Sequence, residues 1–316
     1  MDTFDIRYLR LKATVRMIED CTLPKAKASM IRGGIGDMLL KKYCNFDGDC
    51  EDCKLCKECP VQNIMYSTFD KLPSFMGKNA SLGYIVECGD YRDKFDSGDE
   101  FIFFITLFGK AISYIDSIVV ALYDLAGVGL TKQASKFDIM SIVGRHGYDI
   151  RGADGNLNAM ACEPDGVDRY VRRRYKELTR NGCITDLKMV FQNETTLSDR
   201  KRMLTEFEVE PFLRALILRI NIMRQYDYES SEGIELWHMP EPLPKMVSQK
   251  ARPMAVPRYS DRKSQKMYLK GIKGSMTLSN VSEEWIKLLL AGEVLHVGKN
   301  TSFGFGKYLV ITEEDE

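Results

Sequence analysis

The sequence predicts an α+β fold: two ferredoxin-like (RRM-like, βαββαβ) units in tandem, the first carrying a cysteine-rich, metal-binding insertion. Three observations lead there. Apolar periodicity alternates between strand and helix spacing in the order βαββαβ and then does so again; five cysteines crowd into sixteen residues; and a glycine-rich loop precedes the last apolar strand.

The elements follow in order. Thr3 to Ile18 alternates and is rich in branched residues, which predicts a strand, and Lys25 to Tyr43 has helical spacing through Met30, Ile31, Met38, Leu39 and Leu40. Leu82 to Cys88 and Phe101 to Phe108 predict the second and third strands. Lys110 to Leu125 is an amphipathic helix ended by Gly127, and Lys136 to Val143 is the fourth strand. In the second unit Ile184 to Phe191 is a strand and Glu210 to Tyr226 a helix, with Phe212, Leu216 and Ile220 on its apolar face. Lys266 to Leu278 reads as a hairpin pair near Gly271 and Gly274. Ser282, followed by Glu283 and Glu284, caps a helix to Leu290, and Tyr308 to Thr312 closes the sheet. Domains are therefore expected at 1–145 and 183–316, with 146–182, rich in Gly, Asp and Arg, as a linker or insertion.

Composition sets outer bounds. With 316 residues, 44% hydrophobic and 28% charged, the chain is an ordinary globular protein of two domains. Its 45 basic and 45 acidic residues cancel, so only local charge can point to a partner. No apolar leader follows Met1, and the run from Ala111 to Gly127 is interrupted by Ser113, Asp116, Ser117 and Asp124, so no membrane span and a cytoplasmic location are expected. In a reducing compartment, cysteines spaced as Cys44-x5-Cys50-x2-Cys53-x2-Cys56-x2-Cys59 in a polar segment point to a metal. Thiolates at this spacing reach one tetrahedral ion, and structural zinc is the first reading. An iron–sulfur cluster is the second, because Cys59-Pro60 closes a run of Cys-x2-Cys spacings.

The C-terminal stretch from His296 to Tyr308 holds Gly298, Gly304 and Gly306 among Lys299, Phe303, Phe305 and Lys307. Glycines let a backbone approach a bulky anion with its amides pointing outward, cations suit phosphate, and aromatic faces suit unstacked bases, so the stretch suggests RNA. Upstream, nine Lys/Arg from Lys245 to Lys273 face a single acid, Asp261. Arg258, Arg262, Lys263, Lys266 and Lys270 would track phosphates there.

On these residues the chain resembles the RAMP superfamily of CRISPR-associated proteins, and within it the endoribonuclease that cuts precursor CRISPR RNA in its repeats. The loop from His296 to Tyr308 resembles that family's C-terminal loop, and Arg258-Tyr259-Ser260-Asp261-Arg262 with Gly271 is similar to its basic hairpin. Arg32-Gly33-Gly34-Ile35-Gly36 ahead of the cysteines is similar to a subgroup with cysteine clusters. The resemblance implies metal-independent cleavage by 2′-hydroxyl attack, leaving a 2′,3′-cyclic phosphate and a 5′-hydroxyl. It implies RNA contacts at Arg32, Gly33, Gly34, Arg258, Tyr259 and the loop, and CRISPR repeat RNA and effector-complex proteins as partners. The family often places a histidine in or near the first helix; here Asp37 follows Gly36, and the three histidines are His146, His238 and His296. His296, with Lys299 and Ser302, is then the leading catalytic set, and Lys41, Lys42 and Tyr43 are a second set acting by electrostatic stabilisation. A guide-holding RAMP subunit that does not cut is the alternative within the superfamily, and an iron–sulfur redox protein the alternative outside it.

Overall fold

The computed structural model describes residues 4–46, 53, 58–67, 81–131, 133–227, 236–260 and 265–312. It divides into two units, one of Arg7–Asp165 with Tyr226–Ser231, the other of Met1–Ile6, Gly166–Gln225 and Glu232–Glu316. The N-terminal unit runs β1 (Arg7–Met17), α1 (Lys27–Tyr43), β2 (Tyr84–Glu87), β3 (Glu100–Phe108), α2 (Ile115–Val128) and β4 (Phe137–Val143). The C-terminal unit runs α3 (Val167–Leu178), β5 (Leu187–Phe191), α4 (Val209–Asp227), β6 (Lys245–Ser260), β7 (Gln265–Ser279), α5 (Glu283–Leu295) and β8 (Tyr308–Ile311).

Both sheets are antiparallel and share one order. It is β2-β3-β1-β4 in the first and β6-β7-β5-β8 in the second, so each places its second, third, first and fourth strands side by side. That repeat is the tandem ferredoxin-like architecture. Alternation sets the registers: Leu9, Leu11, Ala13, Val15 and Met17 of β1 all point into the first core, where Leu11 faces Ile105 and Ala13 faces Phe103. Helices α1 and α2 cover that face with Ile31, Ile35, Leu39, Ile118 and Leu122. Gly34 makes this possible, since a Cβ there would press on the Leu125 side chain of α2 at 2.6 Å.

The structure revises several expectations. Gly127 does not end α2. The helix stops at Gly129, whose φ of 93° admits only glycine comfortably and whose Cβ position is filled by the Ala134 backbone. A 3₁₀ turn, Gly109–Tyr114, leads into α2, so Gly109–Val128 is long and apolar enough to cross a membrane by length and composition, although half of it is buried within the unit. Lys266 to Leu278 is one strand, not a hairpin. Its partner is β6, joined through residues outside the described set, and Gly271 and Gly274 are sites of close approach instead of turns. A Cβ at Gly271 would sit 3.1 Å from the Thr195 carbonyl oxygen, and one at Gly274 would collide with that of Lys250. Pro253 and Pro257 hide β6 from a strand reading, yet an edge strand accommodates them.

The expected linker is shared out. Residues up to Asp165 count with the first unit, while α3 belongs to the second. Tyr170 donates to Glu293 on α5 at 2.7 Å; Arg174 bonds Glu293 at 3.2 Å and the Val310 carbonyl at 2.9 Å, so this helix is built into the C-terminal core.

Candidate nucleic-acid interface

In the C-terminal unit the glycine-rich loop continues the sheet. After β5 the chain runs on as Asn193–Thr196, with Thr195 exchanging both backbone bonds with Ile272 of β7 at 2.8 and 2.9 Å. The loop adds to the other side of this segment. Lys299 N–H donates to the Thr196 carbonyl at 2.9 Å and Gly306 N–H to that of Glu194 at 2.9 Å, while the Asn193 side chain bonds the Gly304 carbonyl and accepts from Lys307 N–H at 3.0 Å. Sequence reasoning passed over Asn193–Thr196 altogether; its only signal was a short polar run after an apolar strand.

Glycine is required here by contact as well as by conformation. Gly298 (φ 83°) lies against the Thr196 carbonyl and Gly306 (φ 79°) against that of Val297, and a Cβ at either would collide. The expectation of outward amides fails for six of them: Val297, Lys299, Phe303, Gly304, Gly306 and Lys307 all give their N–H to groups inside the unit. Two aromatics are also withdrawn. Phe305 is buried, and Tyr308 is buried with its hydroxyl donating to the Leu289 carbonyl at 2.7 Å, burial pushing its pKa well above the usual value. Phe303 is half-buried beneath the Arg258 guanidinium, 4.2 Å from its ring centre, which ties the loop to β6. Lys299 is exposed, Lys307 half-buried and Ser302 buried.

His296 begins the loop just past α5, 2% exposed, with Nδ1 2.9 Å from the Phe305 carbonyl oxygen. A carbonyl only accepts, so Nδ1 carries the proton and Nε2 is the basic nitrogen. Arg219 of α4 donates to the preceding carbonyl, Leu295, at 3.0 Å, and its burial lowers its pKa to about 10. The cationic guanidinium sits at the carbonyl end of α5, where the helix dipole favours it.

Along β6 and β7 the described residues include Lys245, Lys250, Arg252, Arg258, Lys266, Lys270 and Lys273 and no acid; Arg262 and Lys263 lie outside the described residues. Arg252 is directly opposite Lys273, a repulsive pair that a polyanion would relieve. Tyr259 and Lys266 are backbone partners in the same ladder.

In the N-terminal unit the remaining candidates separate. Arg32 lies over the Tyr84 ring at 5.4 Å and Gly34 is packed against α2, so both are occupied with the core, while Gly33 has open space around its Cα. Lys41 and Lys42 line a groove with Met38, Tyr123, Asp124, Gly127 and Val128; Lys42 pairs with Asp124 at 3.2 Å and Tyr43 is half-buried. Tyr123, half exposed in that groove, was not anticipated. Cys44 caps α1 and, with Cys59, is packed beside the first core; Cys53 is half-buried, and Cys50 and Cys56 lie outside the described residues. Among the described residues no three potential metal ligands converge.

Residues 169–308, nearly the whole C-terminal unit from α3 to β8, match the family model of the CRISPR-associated endoribonuclease Cas6. This unit is similar to a Cas6 domain. Residues 6–155 match a second family model, described as an N-terminal domain. An uncharacterized protein of Archaeoglobus fulgidus is 23% identical over 320 residues, covering 98% of this chain and 99% of its own length. Among solved structures, a partial Cas6-RT-Cas1–Cas2 complex superposes with a TM-score of 0.59 at 11% identity, over 97% of this chain and 46% of that one, so the chain spans about half the length of that relative. A Thermus thermophilus Cas6 product complex superposes with a TM-score of 0.52 at 14% identity, over 97% of this chain and 99% of the other. The two superpositions show that the chain shares the fold of these structures over 97% of its length.

Proposed function

We propose that the protein binds CRISPR repeat RNA and cuts precursor crRNA by attack of a ribose 2′-hydroxyl on the adjacent phosphate, leaving a 2′,3′-cyclic phosphate and a 5′-hydroxyl without a metal ion. The supporting observation is a match to the Cas6 family model in a unit whose basic ribbon, without an acid among its described strand residues, abuts its glycine-rich loop. In this reading Lys299 lends positive charge to the phosphorane and His296 acts as the base through Nε2. The ring is buried, so the loop must shift before a proton passes through it. Lys41, Lys42 and Tyr43 form the second set.

Repeat RNA incubated in EDTA, with product ends mapped, tests this. One cut with a cyclic phosphate is expected, and His296→Asn should abolish it, because asparagine keeps a donor for the Phe305 carbonyl while removing Nε2. Cleavage retained in His296→Asn but lost in Lys41→Ala with Lys42→Ala would assign catalysis to α1. The guide-holding alternative is favoured by the burial of His296; tight binding with no cut would establish it.

Binding should be steeply salt-dependent. If about five phosphates are neutralised, a fourfold rise in salt weakens single-strand affinity about a hundredfold, and Arg252→Ala lowers the logarithmic slope by about 0.7. A flat salt profile would refute the ribbon as the contact surface. The cysteine run is assigned structural zinc, with Cys44 and Cys59 fixing its ends to the first core; thiolate donors suit the ion and leave no open position for water. Elemental analysis should give about one zinc per chain, whereas iron with visible absorption would replace zinc with a cluster.

A further inference from the structure

Burying a cation is costly unless an anion lies beside it, and two buried cations of this protein follow that rule. Lys27 lies 3.7 Å from the Asp90 carboxylate, and Arg174 bonds Glu293 at 3.2 Å. Arg219 on α4 does not. It is 6% exposed, its Nε donates to the neutral Leu295 carbonyl at 3.0 Å, and its Nη2 is buried with no partner. Burial alone acts on its pKa, with no carboxylate near enough to offset it.

The carbonyl that Arg219 holds belongs to the peptide leading into His296, whose φ of 59° and ψ of 168° lie in a region that residues with a Cβ avoid. Three bonds enforce that conformation: Arg219 on the Leu295 carbonyl, His296 N–H on the Gly292 carbonyl at 2.9 Å, and His296 Nδ1 on the Phe305 carbonyl at 2.9 Å. Such strain persists only while its surroundings impose it. A cation without an anion and a backbone held away from its minimum thus meet at one peptide, and one event relieves both. A phosphate offered to Nη2 makes a charge-assisted bond, stronger than a bond to a neutral carbonyl, and the guanidinium fork suits two phosphate oxygens. As the guanidinium turns to the phosphate it leaves the Leu295 carbonyl, and His296 is free to relax.

We infer that Arg219 is the receptor for one RNA phosphate at the end of α5, and that its transfer from the Leu295 carbonyl to that phosphate opens the glycine-rich loop. The inference rests on the RNA-binding reading above and deepens it: the loop shift that uncovers His296 is driven by the RNA itself. Toward His296, Arg219 is a positioning residue, acting through the Leu295 peptide. The competing role is a helix cap that serves folding alone.

The test uses the full-length protein and a labelled repeat RNA in EDTA, with binding read separately from cleavage. Arg219→Met replaces the charge with an unbranched apolar chain. Arg219→Gln removes the charge but keeps an N–H donor at the chain position of Arg219 Nε, so it can still cap the Leu295 carbonyl. Both variants should bind the RNA about tenfold more weakly, with the logarithmic salt slope lowered by about 0.7. Hydrogen exchange at the Val297, Lys299 and Gly306 amides, all bonded in the closed loop, should quicken when the wild type takes up RNA and stay at the free-protein rate in both variants at saturating RNA. The free methionine variant should unfold at no lower a temperature than the wild type, because an unpaired buried charge is gone. Wild-type affinity and slope in Arg219→Gln, with a lower unfolding temperature in Arg219→Met, would make Arg219 a structural cap and overturn the receptor role. Loop exchange in the wild type that RNA leaves unchanged overturns the opening. A wild type that binds but does not cut would retire the nuclease reading while the same slopes and exchange rates still decide the receptor role; a wild type that does not bind RNA overturns both.

Discussion

Replacing Glu293 by alanine should destabilise the C-terminal unit by about 3–5 kcal/mol, the usual cost of removing one partner from a buried ion pair. Glu293 is 5% exposed and satisfies four donors at once: the Tyr170 hydroxyl, two nitrogens of Arg174 and the Val310 N–H, the last at 2.7 Å. Its loss strands Arg174. Burial alone would depress the Arg174 pKa, but its bonds to Glu293 and Glu177 outweigh that and hold it above the ordinary value. Without Glu293 that support goes, yet a guanidinium stays charged at neutral pH and is left poorly paired. Because α3, α5 and β8 all meet at this carboxylate, the deletion loosens a helix pair and a strand together. A urea titration checks the prediction. A loss below about 1 kcal/mol would show that the pair is solvated and that α3 is held mainly by Val167, Val171 and Leu178.

A Gly306→Ala substitution should have a comparable effect by a different route. The added methyl collides with the Val297 carbonyl, and φ of 79° is strained for any residue with a Cβ. Left-handed strain and overpacking together come to about 3 kcal/mol or more. Since Val297 N–H also donates to the Gly306 carbonyl at 3.0 Å, relief can come only by opening the loop, which would uncover His296 and detach Phe303 from Arg258. Thermal unfolding measures the stability, and RNA binding should fall with it. Gly33→Ala is the control: it has open space in a helix and should stabilise by about 0.5–1 kcal/mol. Equal behaviour of the two variants would contradict the collision argument.

Much of the fold was legible where a buried strand keeps an unbroken alternation. Leu9 to Met17 and Leu187 to Phe191 could be read by period alone, and Ser282 marked its helix correctly, accepting from the Trp285 N–H at 3.4 Å. Where reading failed, one residue type was serving a second purpose. Gly271 and Gly274 suggested turns but allow neighbouring chains to approach, and the prolines of β6 suggested a break but occupy an edge. The loop was found through its glycines, yet those glycines serve packing as much as exposure, a difference that depends on Asn193–Thr196, over a hundred positions away in sequence. No local pattern carries that pairing.

The prolines of β6 have one more effect. An exposed edge strand presents a row of amides on which a second polypeptide can build, the route by which sheets extend into aggregates. Pro253 and Pro257 share one parity and have no N–H to present, and the like charges of Arg252 and Lys273 lie beside the first of them. Two gaps in a short row of donors, together with that charge, deny an incoming strand a continuous ladder. The ribbon can thus remain long, uncovered and well paired to β7 while refusing its own kind, and it stays open to a ligand that binds through side chains instead of through the backbone.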